Sequence, residues 1–360
     1  MNPKVVVDLD KLKMNIEFLT NKIKQHHLSI TAVTKVYSAD PRIIAVFEQF
    51  PEIEYFGDSR IENLKSYQTT SKKKILLRIP MLSEIKDVLK VADISFHSEI
   101  ATLKQLNAEA KKQKKHHQVL LMVDLGDLRE GFFEEAELMR AVEALTKMEQ
   151  LQLIGLGVNL TCYGGIIPEA ANLNQLIRYQ KQIEQTFKLP LPMISGGNSS
   201  SLYLLDQKLP QGITNLRIGE AYLLGRETAF ATDYQEMFQD VFTLCVEIIE
   251  LKKKPSYPVG KIGMDAFGQV PTFVDRGVRL RGILGIGKQD IPLNGIIPDD
   301  PHLKIIGASS DHLMLDFTES LQTYQVGDEV KFRLDYSSLL AAFTSKYVKK
   351  EYVGGDAYVR

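Results

Sequence analysis

The chain has 360 residues, with 44 Lys and Arg against 45 Asp and Glu, so its formal net charge is −1. At roughly 150 residues per domain this length predicts two domains, and 44% hydrophobic with 25% charged residues argues against a disordered or fibrous protein. The balanced charge gives no general attraction to nucleic acid or to an anionic membrane, so we expect a small molecule as partner.

The first 230 residues or so alternate between short apolar runs typical of strands and amphipathic stretches typical of helices. The predicted strands are Ser29–Lys35, Tyr55–Asp58, Ile75–Ile79, Ile94–Ser98, Val119–Leu125, Leu153–Leu160, Pro192–Ser195 and Asn215–Gly219. The predicted helices are Asp10–His26, Pro41–Gln49, Arg60–Tyr67, Ser83–Val91, Glu99–Lys115, Glu134–Met148, Pro168–Phe187, Ser199–Asp206 and the short Ala221–Gly225. Eight strand–helix units in series favour a closed (β/α)₈ barrel over an open doubly wound sheet.

After about Ala231 the pattern changes to short strands separated by Gly, Pro and Asp. The predicted strands are Phe242–Leu251, Val278–Ile286, Lys304–Gly307, Leu313–Phe317 and Glu329–Leu334, followed by a helix over Tyr336–Phe343 and a strand over Lys346–Val353. The sequence therefore predicts an α/β fold in which an N-terminal TIM-like (β/α)₈ barrel, residues 1–230, precedes a C-terminal mainly β domain, residues 231–360.

The segments that direct a chain to a membrane or out of the cell are not evident. The two cysteines, Cys162 and Cys245, do not make a disulfide framework. The acidic stretch from Met1 to Asp10 does not resemble a signal peptide, and no apolar run reaches the roughly 18 residues that span a bilayer. We therefore expect a cytoplasmic protein in a reducing compartment.

In such barrels the chemistry takes place at the carboxyl ends of the strands. The first predicted strand ends at Lys35, and lysine is almost never buried without a partner. Lys35 is therefore either a rim lysine in a salt bridge or a desolvated amine with a lowered pKa that can form a Schiff base.

Two later strands end in sequences that favour an anion. The seventh is followed by Ser195–Ser201, rich in Gly and Ser, and the eighth by Gly219 and Glu220. Glycine permits close approach of the backbone, and a helix N-terminus offers free N–H groups. The alternative is a flexible loop with an N-cap, but loops after strands seven and eight are the recurrent phosphate site of this fold. A Schiff-base lysine beside a phosphate site indicates an aldolase acting on sugar phosphates or an enzyme that uses pyridoxal 5′-phosphate.

Polar residues also follow the fifth and sixth strands. Arg129 is either a bidentate clamp for a carboxylate or the partner of Asp127 or Glu130 in a surface ion pair. Asn159 is placed to face the barrel mouth, and Cys162 is either a proton donor or a packed thiol.

Together these residues resemble the fold-type III pyridoxal-phosphate enzymes, the alanine racemase group, and within it the alanine/ornithine racemase family. The resemblance covers nearly the whole chain, and the order and spacing of its stretches make it specific. The stretches are Ala32–Val36, Gly57–Asn63, Leu121–Gly131, Ile194–Ser201, Leu216–Glu220 and Gly307–His312. It implies a homodimeric racemase that interconverts L- and D-amino acids by removing the α-proton and returning it.

The resemblance also implies roles for individual residues. Lys35 would hold the cofactor covalently and act as acid and base on one face. Arg217 would contact the pyridine nitrogen, which stays unprotonated because arginine is never an acceptor, and Arg129 would lie near the ring oxygen and the substrate carboxylate. The complete implied cofactor-binding set is Lys35, Arg129, Asn159, Ser199, Arg217, Gly219, Glu220 and Tyr336.

The chain departs from the alanine racemase pattern at three places. The stretch Ile262–Gly268 corresponds to the motif that supplies a tyrosine base from the partner subunit, but it holds Met264, which cannot titrate. Candidates for the second base are Asp265, Cys162 and His312, in that order. Met122 stands where many alanine racemases carry a carbamylated lysine, and Asn159 where they place a histidine. These differences favour another substrate, such as ornithine, over alanine.

Two other functions remain open from the sequence. One is a fold-type III aldolase or decarboxylase acting on D-amino acids, in which Asp265, Asp311 and His312 offer ligands for a divalent metal; the racemase prediction needs no metal. The other is a pyridoxal-phosphate carrier without catalysis, although such carriers of this fold type lack a β domain.

Overall fold

The computed structural model of the protein describes residues 1–67, 70–265 and 267–355. Ala266, within the stretch that replaces the tyrosine motif, and the last five residues lie outside the described residues. The chain forms two compact units, one built from Asp10–Gln239 and one from Met1–Leu9 together with Asp240–Gly354. The division at residues 230 and 231 stays a prediction.

The chain begins with strand β1 (Lys4–Asp8) and helix α1 (Leu9–Lys24). The barrel strands follow as β2 (Ser29–Val33), β3 (Ile53–Asp58), β4 (Lys73–Leu76), β5 (Ile94–His97), β6 (His117–Val123), β7 (Leu151–Val158), β8 (Met193–Ser195) and β9 (Asn215–Ile218). The helices between them are α2 (Pro41–Glu48), α3 (Ile61–Ser66), α4 (Ile85–Val91), α5 (Ile100–Gln113), α6 (Glu135–Leu145), α7 (Ala170–Phe187) and α8 (Glu220–Leu224).

Strands β2 to β9 are parallel and close into a barrel, with β9 paired to β2. The closed (β/α)₈ barrel predicted from the sequence is confirmed, and so are its eight strands. One element differs in type: the predicted helix Ser199–Asp206 is a 3₁₀ helix over Ser199–Leu205. In the described part of the chain, no helix combines the length and the apolar character needed to cross a bilayer.

The inside of the barrel is filled by apolar side chains from several strands. They form one buried cluster of Ile75, Ile94, Phe96, Leu120, Met122, Ile154 and Met193. Gly155 allows β7 and β8 to approach, because a Cβ at this position would lie 1.7 Å from the carbonyl oxygen of Met193. Because apolar side chains fill the interior, the polar groups of an active site are expected at the carboxyl ends of the strands.

The second unit is an eight-stranded, mostly antiparallel sheet. Its strands are β1, β10 (Phe242–Pro255), β11 (Val278–Leu284), β12 (Ile296–Pro298), β13 (Lys304–Ala308), β14 (Leu313–Asp316), β15 (Glu329–Leu334) and β16 (Lys349–Val353), with helix α9 (Tyr336–Thr344) before the last. The strand order is β12-β15-β10-β11-β14-β13, and β1 pairs with β10 and with β16. The mainly β character is confirmed, while β1 and β12 were not predicted.

Candidate active site

Lys35 is presented by a tight turn at the carboxyl end of β2. It begins the 3₁₀ turn Lys35–Tyr37, whose N-cap is Thr34. Ser38 and Ala39 then take left-handed φ values of 49° and 53°, which cost about 1–3 kcal/mol for each such non-glycine residue. Such a conformation persists only where the surrounding structure holds it. The position of Lys35 therefore depends on the groups that pack around this turn.

The same end of the barrel carries the predicted phosphate loop. Ala32 of β2 pairs with Ile218 of β9. Gly219 follows β9 and approaches Val33 so closely that an added Cβ would lie 3.1 Å from the Val33 Cβ atom. The backbone before Lys35 and the backbone at the start of α8 are thus neighbours, and Glu220 is the first residue of α8.

Ser199 and Gly219, both predicted to bind phosphate, lie in contact with each other. The Ser199 hydroxyl accepts the backbone N–H groups of Gly219 at 3.4 Å and of Ala221 at 3.2 Å. Ser200 Oγ is buried and has no hydrogen-bond partner among the described residues. Asn198 is the N-cap of the 3₁₀ helix Ser199–Leu205, because its side-chain oxygen accepts the Ser200 N–H at 2.8 Å. The loop therefore contains an N-cap, and it also contains converging hydrogen-bond donors that suit an anion.

Arg217 lies inside the barrel mouth and is almost fully buried. Its guanidinium donates to the Ser195 hydroxyl at 2.6 Å and to the Val158 carbonyl at 2.7 Å, with its carbon 5.5 Å from the centre of the Phe96 ring. Burial lowers the pKa of Arg217 to about 10, so it remains a cation at neutral pH. It presents a fixed charge that donates hydrogen bonds and accepts none.

Asn159 connects the phosphate loop to a second arginine. One end of its side-chain amide lies 3.2 Å from the side-chain nitrogen of Asn198, and the other end lies 3.2 Å from Arg129 Nη1. Arg217 Nη2 is 3.5 Å from the same amide. The structure therefore brings Arg129, Asn159 and Arg217 into one cluster.

Arg129 forms a bidentate ion pair with Glu130. Burial opposes the charge of Arg129, but the contact with Glu130 outweighs it and raises the arginine pKa. Of the two ion pairs considered from the sequence, the one with Asp127 is wrong: that carboxylate instead accepts the backbone N–H groups of Cys162, Tyr163 and Ile166. Asp127 thereby holds the loop that follows β7.

Cys162 lies on that loop, and its side chain is exposed. Arg129 Nη1 donates to the Cys162 sulfur. The interpretation of Cys162 as a packed thiol is therefore wrong, while its assignment as a proton donor stays a prediction.

Three further predicted residues belong to the second unit. Asp265 is exposed, and its Oδ1 accepts the N–H groups of Gln269 and Phe267, both at 2.9 Å; these bonds lower the pKa of Asp265. His312 is exposed beside Ser309, and Tyr336 is the first residue of α9. Within residues 1–67, 70–265 and 267–355 no group of three or more His, Cys, Asp or Glu side chains is placed to hold a metal ion.

Sequence reasoning gave no function to several residues of this site. Glu130 was considered only as a surface partner, while Asn198 and Ser200 were included in a loop without roles. Asp58 ends β3 and is fully buried. Its place at a strand end, where polar residues carry the chemistry of such barrels, is the sequence signal that points to Asp58.

A family model described as "Alanine racemase, N-terminal domain" matches residues 7–226 of this chain. The chain belongs to the alanine racemase N-terminal domain family. The family predicted from the sequence is therefore confirmed. The matched segment contains Lys35, Arg129, Asn159, Cys162, Ser199, Arg217, Gly219 and Glu220.

Two curated relatives extend the similarity over both units. The ornithine racemase of Acetoanaerobium sticklandii is 49% identical over 352 residues, which cover 98% of this chain and 99% of that protein. The lysine racemase of Thermotoga maritima is 36% identical over 353 residues, covering 97% of this chain and 98% of that protein.

Solved structures share the fold at low sequence identity. An alanine racemase from Bartonella henselae with covalently bound pyridoxal phosphate has a TM-score of 0.74 at 18% identity and covers 98% of this chain and 100% of its own. A histidine racemase from Leuconostoc mesenteroides has a TM-score of 0.71 at 14% identity, with 98% of both chains covered. These likenesses confirm the barrel followed by a β domain.

Proposed function

We propose that the protein is a pyridoxal-phosphate-dependent racemase that interconverts the L- and D-forms of ornithine. The class, an amino-acid racemase with this cofactor, is that of its family. The choice of ornithine is carried by the 49% identity to an ornithine racemase along 98% of the chain. The similarity to a lysine racemase supports the same type of substrate, an amino acid with a basic side chain.

The residues at the barrel mouth fit pyridoxal phosphate. Ser200 Oγ is a buried hydroxyl without a partner among the described residues, and it lies in the loop where N–H groups of Gly219 and Ala221 converge on Ser199. Arg217 offers a buried cation that suits an unprotonated ring nitrogen. Bound there, pyridoxal phosphate supplies an aldehyde for a lysine amine and a ring that takes up the electron pair of a broken Cα–H bond. The proposed cofactor-binding set is completed by Lys35, Arg129, Asn159, Glu220 and Tyr336.

One edge of the Arg129 guanidinium suits an amino-acid carboxylate. Glu130 occupies Nε and Nη2 through its bidentate ion pair, while Nη1 donates to Cys162 instead. We assign the Nη1 edge of Arg129 to the α-carboxylate of the substrate, held there by a charge-assisted hydrogen bond.

Racemisation needs a proton-transfer group on each face of the substrate. Lys35 serves one face in this proposal, and Asp265, Cys162 or His312 serves the other. Cys162 contacts the guanidinium assigned to the carboxylate, and the α-carbon is one bond from that carboxylate. Asp265 already accepts two backbone N–H groups, which weakens it as a base.

We also propose that the protein is a homodimer. The loop between β10 and β11 exposes several apolar side chains, among them Val259 at 93%, Met264 at 77% and Val274 at 71%. Apolar side chains clustered on a surface mark an interaction site. In sedimentation experiments the variants Val259→Glu and Val274→Glu should be monomers. The control is Leu321→Glu, at a position elsewhere in this unit that is 85% exposed, and this variant should remain a dimer. Dimers from all three variants would contradict the proposal.

The activity is tested by incubating the purified enzyme with single enantiomers in D₂O. The panel contains ornithine, lysine, alanine and serine, and chiral chromatography with mass spectrometry detects inversion and deuterium at Cα. Ornithine should exchange and invert fastest. No exchange with any amino acid would contradict racemisation, and cleavage or decarboxylation that requires an added divalent metal would favour the aldolase or decarboxylase.

A further inference from the structure

Asp58 is the centre of a buried network that the proposed function does not use. It ends β3 with a fully buried side chain. Its Oδ2 accepts the Thr34 hydroxyl at 2.6 Å, and its Oδ1 accepts the Arg60 backbone N–H at 2.8 Å. The Asn63 side-chain amide lies 3.1 Å from both oxygens.

Every one of these contacts is a donor directed at the carboxyl group. Burial raises the pKa of Asp58, and the bonds from Thr34, Arg60 and Asn63 act against that increase. A protonated carboxyl would bring its own hydrogen into a site already filled with donors. The contacts therefore favour an ionised Asp58.

Tyr67 gives the network its direction. Its hydroxyl contacts Thr34 Oγ1, and its ring packs against Phe56 with the ring centres 5.5 Å apart. The single hydroxyl hydrogen of Thr34 faces two acceptors, Asp58 Oδ2 at 2.6 Å and the Gly57 carbonyl at 3.3 Å, and the shorter bond is to Asp58. Since that hydrogen is already used, Tyr67 donates to Thr34, and hydrogen bonds run from Tyr67 to Thr34 and from Thr34 to Asp58.

Thr34 joins this network to the turn that presents Lys35. It is the residue before Lys35 and the N-cap of the turn. Its backbone N–H donates to the Gly57 carbonyl at 3.0 Å, and its carbonyl accepts the Ala39 N–H at 3.2 Å. Ala39 is one of the two left-handed residues that close the turn. A fixed Thr34 therefore restrains the beginning and the end of the turn, whose left-handed residues are unfavourable by themselves.

We propose that Asp58 is a positioning residue for Lys35, acting through Thr34 to hold the turn from which the lysine amine is presented at the barrel mouth. The proposal rests on the proposed function, in which Lys35 binds pyridoxal phosphate covalently. Asp58 takes no part in proton transfer to the substrate. Its contribution is to the orientation of the amine, and small errors in such orientation cost large factors in rate.

The test measures covalent attachment rather than turnover. Apo-protein is mixed with pyridoxal phosphate, samples are reduced with borohydride at fixed times, and mass spectrometry quantifies the label on Lys35. We expect Thr34→Val, which loses the hydroxyl, and Asp58→Asn, which loses the charge, to attach about 10- to 100-fold more slowly. Thr34→Ser keeps the hydroxyl and should remain within about threefold. The matched control is Thr20→Val, at a buried threonine of α1 outside the Asp58 network, and it should attach at the wild-type rate.

Thermal melting of each variant separates positioning from stability. The proposal would be overturned if Thr34→Val lowers the melting temperature but Lys35 is still labelled at the wild-type rate. It would also be overturned if the cofactor attaches to Thr34→Ser as slowly as to Thr34→Val. If Asp58→Asn does not fold, the two Thr34 variants still decide. Wild-type protein labelled at another lysine, or not at all, would instead refute the role of Lys35 in the proposed function.

Discussion

Glu130 holds Arg129 through both carboxylate oxygens, one on Nε and the other on Nη2. This arrangement occupies one edge of the guanidinium. Nη1 remains directed to Cys162 and lies 3.2 Å from the Asn159 amide. The neighbour in sequence thus orients the arginine that we assign to the substrate carboxylate.

We expect Glu130→Gln to lower kcat/KM by about tenfold or more, because a charge-assisted bidentate pair is replaced by a weaker one and Arg129 loses its fixed orientation. Steady-state kinetics on ornithine measure the change, with KM expected to rise. The matched control is Glu137→Gln, which removes an exposed pair with Arg140 on α6 and should change neither constant. Equal kinetics for both variants would show that Glu130 does not orient the site.

Lys35→Ala should abolish covalent binding of the cofactor, because alanine has no amine to attach it. The absorption band of the bound cofactor, which free cofactor does not show, should disappear on gel filtration. A variant that keeps a borohydride-trapped label would assign the attachment to a different lysine.

The second proton-transfer group can be identified by comparing two conservative variants. Asp265→Asn and Cys162→Ser each preserve size and remove a titrating group. The variant that lacks the true base should lose racemisation by about 10²–10⁴-fold while still binding cofactor, measured by chiral chromatography. Because Asp265 already caps its own turn, we expect the larger loss from Cys162→Ser; near-normal turnover of both variants would leave His312 as the remaining candidate to mutate.

A buried histidine pair makes the barrel sensitive to acid. Ser95 Oγ lies 2.8 Å from Nε2 of both His97 on β5 and His117 on β6. Burial lowers the pKa of His97 to about 3 and that of His117 to about 4. In the unfolded chain both titrate near 6.5. Between these values the unfolded state binds more protons, so the free energy of unfolding falls as the pH falls.

Each histidine should therefore remove roughly 2 kcal/mol of stability between pH 7 and pH 5. Urea unfolding at several pH values measures the effect, and His97→Gln or His117→Gln should flatten the curve below pH 6.5. His116, adjacent and exposed, provides the control, because His116→Gln should leave the curve unchanged. A variant curve as steep as the wild type would show that the buried pair is not responsible.

Gly155→Ala should destabilise the barrel by about 3 kcal/mol or more, since the new Cβ would overlap the carbonyl oxygen of Met193 in the neighbouring strand. Thermal or urea unfolding measures the loss. At Gly285 an added Cβ would make only an ordinary contact, 3.7 Å from Ile249, so Gly285→Ala should behave as wild type. Similar stability of the two variants would contradict the tight packing of β7 on β8.

The barrel could be predicted because its signals are local. Each buried strand is a short apolar run followed by an amphipathic helix, and eight such units have few arrangements. The strand β1 lacks this context: its three valines give a weak pattern, and its partners β10 and β16 lie more than 230 residues away in sequence. A pairing between residues so far apart in sequence cannot be recognised from the residues that flank the strand.

The candidate site likewise has a part that the sequence predicts and a part that it does not. Lys35, Ser199 and Gly219 follow strand ends and Arg217 is the penultimate residue of β9, so the fold alone places them at one end of the barrel. The bidentate grip of Glu130 on Arg129 and the bond of Thr34 to Asp58 depend on which rotamers the side chains adopt. Sequence spacing identifies neighbours of this kind but not which of them bond.

Because β1 lies between β10 and β16, residues 4–8 find both of their partner strands more than 230 residues further along the chain. A truncation after Gln239 would keep the segment Asp10–Gln239 and remove both partners of β1. Lys4–Asp8 would then be a strand without a neighbour, a form that pairs readily with other chains. Such truncated products should therefore aggregate through Lys4–Asp8 rather than through the barrel.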